Sequence, residues 1–308
     1  MSLIAYEGRS VIVTGAGGGL GREYALALAR HGARVVVNDL GGSVNGDGVG
    51  TTMADSVVGE IKDAGGEAVA CYDSVSTPEG GRAIVDAAMD AFGSVDAVIH
   101  NAGILRDRSL AKLTPEEVDS VLDVHLKGGF NVTIPAFARM KEAGYGRLVM
   151  TSSSSGLLGN FGQANYGAAK TGLVGLVHVA ALEGARHGIL ANAIAPGART
   201  RMTDGLLGDL DELLDPAQVA AMAVYLASPQ CSQTHEIFSA GGGRFARYVV
   251  GLNEGWFTPN GPASADDVLE HIDQIRDLDT LQVFTSGSDE LALLHRLATA
   301  AGAIESSS

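Results

Sequence analysis

The β-branched run Ser10–Thr14 (SVIVT) breaks into Gly15-Ala16-Gly17-Gly18-Gly19-Leu20-Gly21, and a helical apolar pattern follows over residues 20–31. Glycines at such a junction let the chain turn sharply and bring backbone N–H groups against an anion, with the N-terminus of the following helix facing the same charge. A Gly-rich loop alone is a weak signal. Between a buried strand and a helix, opening a βαβ unit, it reads as a dinucleotide-phosphate cradle. Gly15, Gly18, Gly19, Leu20 and Gly21 are therefore candidate cofactor contacts.

The same alternation continues along the chain. Arg34–Asn38 (RVVVN) and residues 67–72, 95–100, 147–151, 189–195 and 236–239 read as further strands. Helical patterns fill residues 53–64, Pro78–Phe92, 115–143, 163–187 and Pro216–Ala227 between them. Strands that are apolar on both faces require helices on both sides of a parallel sheet. Thr114-Pro115-Glu116-Glu117 gives the long helix an N-cap, a proline in its first turn and a capping box, and Pro135 predicts a disturbance later in it. The expectation is an α/β fold: a doubly wound, mostly parallel, seven-stranded sheet with right-handed crossovers. Residues 1–240 form this core. Residues 241–308 break the rhythm, with helices expected over 265–278 and 289–300, and read as a C-terminal helical extension packing on the core or on a neighbouring subunit.

Composition narrows the function classes. The formal net charge of −15 and the absence of a Lys/Arg run exclude a nucleic-acid footprint. Two cysteines, Cys71 and Cys231, make neither a disulfide framework nor a metal-ligand pattern, so no metal is expected. No N-terminal signal pattern, no apolar run of about 18 residues and no C-terminal peroxisomal address is present, which predicts a cytoplasmic protein without a membrane span.

Other candidates sit where strands end. Asp39 closes the second strand; a carboxylate there can accept the ribose hydroxyls and repels a 2′-phosphate, favouring NAD over NADP. Asp73 follows the third strand within reach of an adenine. Asn101, Ala102 and Gly103 follow the fourth, beside the expected cofactor ribose. Tyr166 and Lys170 lie one helical step apart, on one face, after the fifth strand. A phenol titrates near ~10, and a neighbouring cation is expected to lower that value so that Tyr166 can act as acid or base. Lys170 can also bond the nicotinamide ribose. Ser153 can hold the substrate oxygen, with Ser152, Ser154 and Ser155 as rivals that spacing does not exclude.

Together the TGxxxGxG loop, the Asn101-Ala102-Gly103 turn, Ser153, the Tyr166/Lys170 pair and Pro196-Gly197 resemble the short-chain dehydrogenase/reductase family over about residues 8–240. The resemblance implies a Rossmann core, an NAD-dependent oxidoreductase acting on CH–OH donors, catalysis by Ser153, Tyr166 and Lys170, and Pro196 and Gly197 at the cofactor. That family usually carries a relay Asn in a V-N-L-x-G run; here the run is Val124-His125-Leu126-Lys127-Gly128, which places His125 in that role. Asn38-Asp39-Leu40-Gly41-Gly42, residues 103–109 and residues 159–166 are most similar to (3R)-hydroxyacyl-CoA dehydrogenase units of peroxisomal multifunctional enzymes type 2.

This likeness implies oxidation of a (3R)-hydroxyacyl-CoA in fatty-acid or sterol side-chain degradation. A 17β-hydroxysteroid or other secondary-alcohol dehydrogenase is the alternative, and a non-catalytic NAD(H) sensor the reading outside enzymes. Arg106, Arg108, Arg199 and Arg201 are candidates for CoA phosphates, residues 198–214 for a lid over the substrate. A homodimer or homotetramer is expected through the long helix and the Tyr-bearing helix, whose Gly167, Ala168, Gly172 and Gly175 permit close approach.

Overall fold

A computed structural model describes residues 3–42, 48, 50–198, 213–259 and 261–304. They form two compact units, residues 1–248 and residues 249–308.

The larger unit is built on one sheet of eight strands in the order β3-β2-β1-β4-β5-β6-β7-β8. The strands are β1 (Ser10–Thr14), β2 (Arg34–Asn38), β3 (Glu67–Cys71), β4 (Ala97–His100), β5 (Gly146–Thr151), β6 (Ile189–Pro196), β7 (Glu236–Gly241) and β8 (Arg244–Tyr248). All pair in parallel except β8, which pairs antiparallel to β7. The helices of this unit are α1 (Gly19–Arg30), α2 (Thr52–Asp63), α3 (Pro78–Phe92), α4 (Pro115–Leu122), α5 (Gly128–Ala143), α6 (Ser154–Leu158), α7 (Ala164–Gly184) and α8 (Pro216–Ala227).

The continuous apolar strands have the expected cause. Val11, Val13, Val35 and Val37 point to one face, into a core with Tyr24 and Leu28 of α1, Ile61 of α2 and Val219 of α8. Ile12 and Val36 point to the other, against Ile84 of α3, Met140 of α5 and Leu173 of α7. Each strand thus serves two cores, with period-2 alternation hidden because both faces are dry. On the second face α3 and α5 touch closely: a Cβ on Gly81 would fall 2.2 Å from the Asn131 carbonyl oxygen.

Two features differ from expectation. The sheet has an eighth strand, which moves the end of the larger unit from residue 240 to Tyr248. Gly242 and Gly243, at φ +58 and +73, make the left-handed two-residue turn that returns the chain antiparallel. Arg244-Phe245-Ala246-Arg247-Tyr248 is an edge strand carrying charge, a pattern easily read as surface extension. The second difference is the long helix. It is disturbed at Asp123–Lys127, which forms a π turn between α4 and α5, whereas Pro135 sits inside α5 without ending it. The cause at the π turn is a side chain: His100 Nε2 lies 3.0 Å from the His125 carbonyl oxygen, and the helix yields a residue to it.

The smaller unit has α9 (Ala265–Glu270), α10 (Ile272–Arg276) and α11 (Gly287–Ala300). The first expected helix is broken at His271, on which Trp256 stacks at 4.1 Å between ring centroids. Asn253 Nδ2 donates to the Ile275 carbonyl at 2.8 Å, and Leu252 bridges antiparallel to Gln282. Among the described residues no helix is long and apolar enough to cross a membrane.

Tyr6 anchors the N-terminal segment by donating to the Val224 carbonyl of α8 at 2.6 Å, fully buried. Tyr6→Phe leaves that carbonyl unpaired and is expected to cost about 1–3 kcal/mol. Urea unfolding checks this: the midpoint should fall with an unchanged slope.

Candidate active site

The site begins where β1 and β4 end side by side. Thr14 Oγ1 accepts the N–H groups of Asn101 and Ala102, each at 3.0 Å, and lies 3.2 Å from His100 Nδ1. Burial pushes the His100 imidazole down to about 4, so it is neutral at pH 7. With two N–H groups already accepted, the Thr14 hydroxyl gives its proton to Nδ1. The Nε2–H then donates to the His125 carbonyl. Asn101 Nδ2 donates to the Thr14 and Gly15 carbonyls at 3.2 and 3.1 Å. The Gly-rich loop and the turn after β4 are thereby locked together.

The glycines mark where the loop has no room for a side chain. Gly15 has φ +65, and a Cβ there would lie 2.7 Å from Ala102 Cα. Gly17 was not among the expected contacts, yet its N–H donates to Asp39 Oδ2 at 2.8 Å while Gly41 N–H donates to Oδ1 at 2.7 Å. A Cβ on Gly17 would lie 2.8 Å from the Asp39 carboxyl carbon. Gly18 caps α1 in an extended conformation without a side-chain bond to the first turn. Gly21 lies against the Gly15 carbonyl and outside the cleft lining, so it packs the helix on the loop.

A cavity of about 980 Å³ opens over these strand ends. Gly15, Gly18, Gly19, Leu20, Asp39, Asp73, Asn101, Ala102 and Gly103 line one part; His125, Ser153, Tyr166, Lys170, Pro196 and Gly197 complete it. Asp73 is held there through its own carbonyl, which accepts from Asn38 Nδ2 at 2.9 Å. The Gly197 N–H donates to Ala240 O at 2.8 Å, tying the turn after β6 to β7.

The rival serines separate by their partners. Ser152 is buried and donates to the Lys170 carbonyl at 2.9 Å, away from the cleft. Ser153 caps α6, accepts from the Ser155 N–H at 3.1 Å, and lines the same cleft as Tyr166. Ser154 and Ser155 also line the cleft. Lys170 is buried, donates from Nζ to the Thr151 carbonyl at 2.6 Å, and lies 5.5 Å from the centre of the Tyr166 ring.

The electrostatics differ from the sequence expectation. Burial holds the Tyr166 phenol above its ordinary value; the Ser153 hydrogen bond pulls it down and the Asp107 carboxylate pushes it up. Burial also drives the Lys170 ammonium down to about 7. A buried lysine with one carbonyl partner is short of solvation and spends part of its charge on its own position.

His125 is buried at the centre of the π turn. Its Nε2 lies 3.0 Å from the Ile104 nitrogen and 2.8 Å from the Ile104 oxygen, its Nδ1 has no partner, and its ring stands edge-on to Tyr166 at 5.2 Å. Its imidazole is held well below its usual value, by burial and then by Lys170. Gly103 makes room for it: a Cβ there would be 2.3 Å from His125 Cε1. Thr14, Gly17, His100, Thr151 and Asn165 carry the site and were not singled out from sequence. Asn165 Nδ2 donates to the carbonyls of Arg106 and Glu117 at 3.1 and 2.9 Å and so fixes the residue before Tyr166. Of the arginines proposed for phosphates, Arg106 lines the cleft and Arg108 pairs with Glu117 at 2.8 Å. Arg199, Arg201 and most of the expected lid lie outside the described residues.

Residues 9–209 match the family model described as short chain dehydrogenase. A short-chain type dehydrogenase/reductase of Mycobacterium tuberculosis is 50% identical over 273 residues, covering 88% of this chain and 95% of that protein. Hydroxyacyl-CoA dehydrogenase ChsB1 of the same organism is 40% identical over 247 residues, 74% of this chain and 75% of that protein. The structure of full-length peroxisomal multifunctional enzyme type 2 from Drosophila melanogaster superposes with a TM-score of 0.81 at 38% identity, covering 96% of this chain and 50% of that one. The chain spans about a third of the mouse enzyme of that name.

Two outcomes are expected from this geometry. Gly17→Ala should displace the Asp39 carboxylate and weaken dinucleotide binding about tenfold or more, the loss of one or more charge-assisted hydrogen bonds; fluorescence titration with NADH reads it, and unchanged affinity would show that the tether is idle. Lys170→Met should stabilise the free protein. Its folded-state value of about 7 lies below the ordinary 10.5, so the unfolded chain holds more protons between those pH values and wild-type stability rises with pH across that window. Urea unfolding at pH 7 and pH 9 should show the methionine variant gaining most at pH 7, where the buried ammonium costs most.

Proposed function

The chain belongs to the short chain dehydrogenase family, and we propose that it is an NAD-dependent dehydrogenase oxidising a (3R)-hydroxyacyl-CoA to the 3-oxoacyl-CoA. One observation carries the chemistry: Ser153, Tyr166 and the Lys170 ammonium share a cleft with the tethered Asp39 and the glycine cradle. NAD, when bound, supplies the hydride acceptor.

Ser153 holds the substrate hydroxyl oxygen against Tyr166. Tyr166 takes the hydroxyl proton as the carbon gives up its hydride, and the carbonyl forms. Burial raises the phenol and so makes it a reluctant anion; Ser153 opposes that tendency by donating to the phenolate. Lys170, fixed by the Thr151 carbonyl, favours the phenolate whenever it is charged and faces the nicotinamide ribose. His125 stands in the run Val124-His125-Leu126-Lys127-Gly128, at the position of the asparagine in the family's usual V-N-L-x-G pattern. Its unpartnered Nδ1 is the atom available to pass a proton onward, while Nε2 holds the Ile104 backbone.

The glycine cradle fits a pyrophosphate. The Asp39 carboxylate, held by two backbone N–H groups, retains lone pairs for both adenosine-ribose hydroxyls and opposes a 2′-phosphate. This supports NAD over NADP. A homo-oligomer formed through α5 and α7 fits the exposed Ile134, Val179 and Leu182; a pure monomer in light scattering would remove that part of the reading.

Initial rates with NAD and NADP, on 3R- and 3S-hydroxyacyl-CoA and on a 17β-hydroxysteroid, test the proposal. NAD-dependent 3R turnover above the rest supports it; steroid turnover alone moves the function to the alternative substrate. Tyr166→Phe should lower kcat by about 10²–10⁴-fold. A chain that binds NAD but oxidises no alcohol would instead be a sensor.

A further inference from the structure

The substrate side of the cleft carries a carboxylate with no assigned part in catalysis. Asp107 lines the same cavity as Ser153 and Tyr166. Its position is fixed from the segment that leads into Tyr166. Gln163 Nε2 donates to Asp107 Oδ2 at 2.7 Å, and Gln163 Oε1 accepts from Asn160 Nδ2 at 3.0 Å. Next to it Arg108 N–H donates to the Gly162 carbonyl at 2.8 Å, forming a β-bridge between Arg108 and Gln163. Asn165 holds the Arg106 carbonyl on the other side. A three-residue stretch is thus sewn to the approach to α7, with Asp107 at its centre.

The charge is not cancelled by an ion pair. Arg108 is committed to Glu117 of α4. Among the described residues no basic side chain pairs with Asp107. Among the described residues, the other charged or titratable groups lining this part of the cleft are Arg106 on the same segment, Lys170 and Tyr166 on α7, and Asp123 and His125 on the π turn, Asp123 being paired with Lys127; Asp39 and Asp73 line the cavity with the glycine loop. Of these, Tyr166 registers the carboxylate directly: Asp107 opposes ionisation of its phenol. A negative charge within reach of a general base weakens that base, and it must equally repel an anionic substrate group brought to the same oxygen. A chain of net charge −15 supplies no background potential to offset it.

We propose that Asp107 selects substrates by charge: it admits a hydroxyl or carbonyl carried on an uncharged group such as a thioester, and turns away one with a free carboxylate beside the reacting carbon. This rests on Tyr166 being the acid/base. It goes beyond the dehydrogenase assignment by naming what the site excludes, the free 3-hydroxy acid that corresponds to each thioester. The Gln163 bond fixes the direction of the carboxylate, which is itself exposed to solvent and therefore open to screening by salt.

The test compares kcat/KM for a 3-hydroxybutyryl thioester of a short neutral thiol with that for free 3-hydroxybutyrate. Wild type, Asp107→Asn and Asp107→Glu are assayed at low and high salt. Asparagine preserves the acceptor for Gln163 and removes the charge. The thioester-to-acid preference is expected to fall about tenfold in Asp107→Asn, about what one unit charge several ångströms away is worth at intermediate dielectric. Asp107→Glu should keep the preference, and high salt should erode it in wild type. A preference that is the same in all three proteins overturns the proposal.

A second readout needs no turnover. The phenol of Tyr166 is titrated by ultraviolet difference absorbance against Tyr166→Phe, and its midpoint should fall in Asp107→Asn. Should neither compound be oxidised, the thioester-dehydrogenase reading fails by itself. The Asp107 proposal is then decided by the titration, and an unmoved midpoint refutes it.

Discussion

Everything at the active site follows from β1 and β4 being neighbours. Strands consecutive in space but not in sequence send their crossover helices to opposite faces, and a crevice opens between the loops at their carboxyl ends. The pairing of Val13 with Ile99 sets Thr14 beside Asn101. One threonine hydroxyl can then satisfy two backbone N–H groups of the facing loop and pass its proton to His100. The chain continues from His100 to the carbonyl of His125, so the glycine-rich loop and the π turn are joined by buried hydrogen bonds. A shift of one residue in that register would leave Thr14 facing the other side of the sheet and dissolve the arrangement.

The cost of the site is concentrated in polar groups taken out of water. Burial holds His100 and His125 neutral, lowers Lys170 to about 7 and holds Tyr166 away from its anion. Each is satisfied by backbone more than by other side chains: Lys170 by Thr151 O, His100 by His125 O, His125 by Ile104. Backbone partners do not titrate. The geometry of the site therefore persists as protonation states change, while the proton-binding groups stay free for chemistry.

Much of the fold was readable because its signals are local. Gly-rich turns, paired caps and two-faced apolar strands are written in adjacent residues, and β1, β2, α3 and α8 fall where the pattern put them. The shared face of Tyr166 and Lys170 was readable from one helical step, whereas Ser152 parted from its neighbours only through its bond to the Lys170 carbonyl. What escaped depended on long-range contact. The π turn at Asp123–Lys127 is produced by His100, some 25 residues away, and Pro135 drew attention to the wrong place. Gly17 looked like any other glycine of its run until Asp39 folded back on it. The balance of charge around Tyr166 lay beyond the sequence for a related reason: spacing reveals which groups are near, but burial sets how strongly each holds its proton. β8 was hidden by its own arginines, which suit an edge and disguise a strand.

The single tryptophan of the chain, Trp256, stacks on His271 within the smaller unit. Its emission therefore reads the packing around residue 256 from one position, with no second indole to blur it. Tyr166 and the glycine loop belong to the larger unit and are followed instead through tyrosine absorbance or bound dinucleotide.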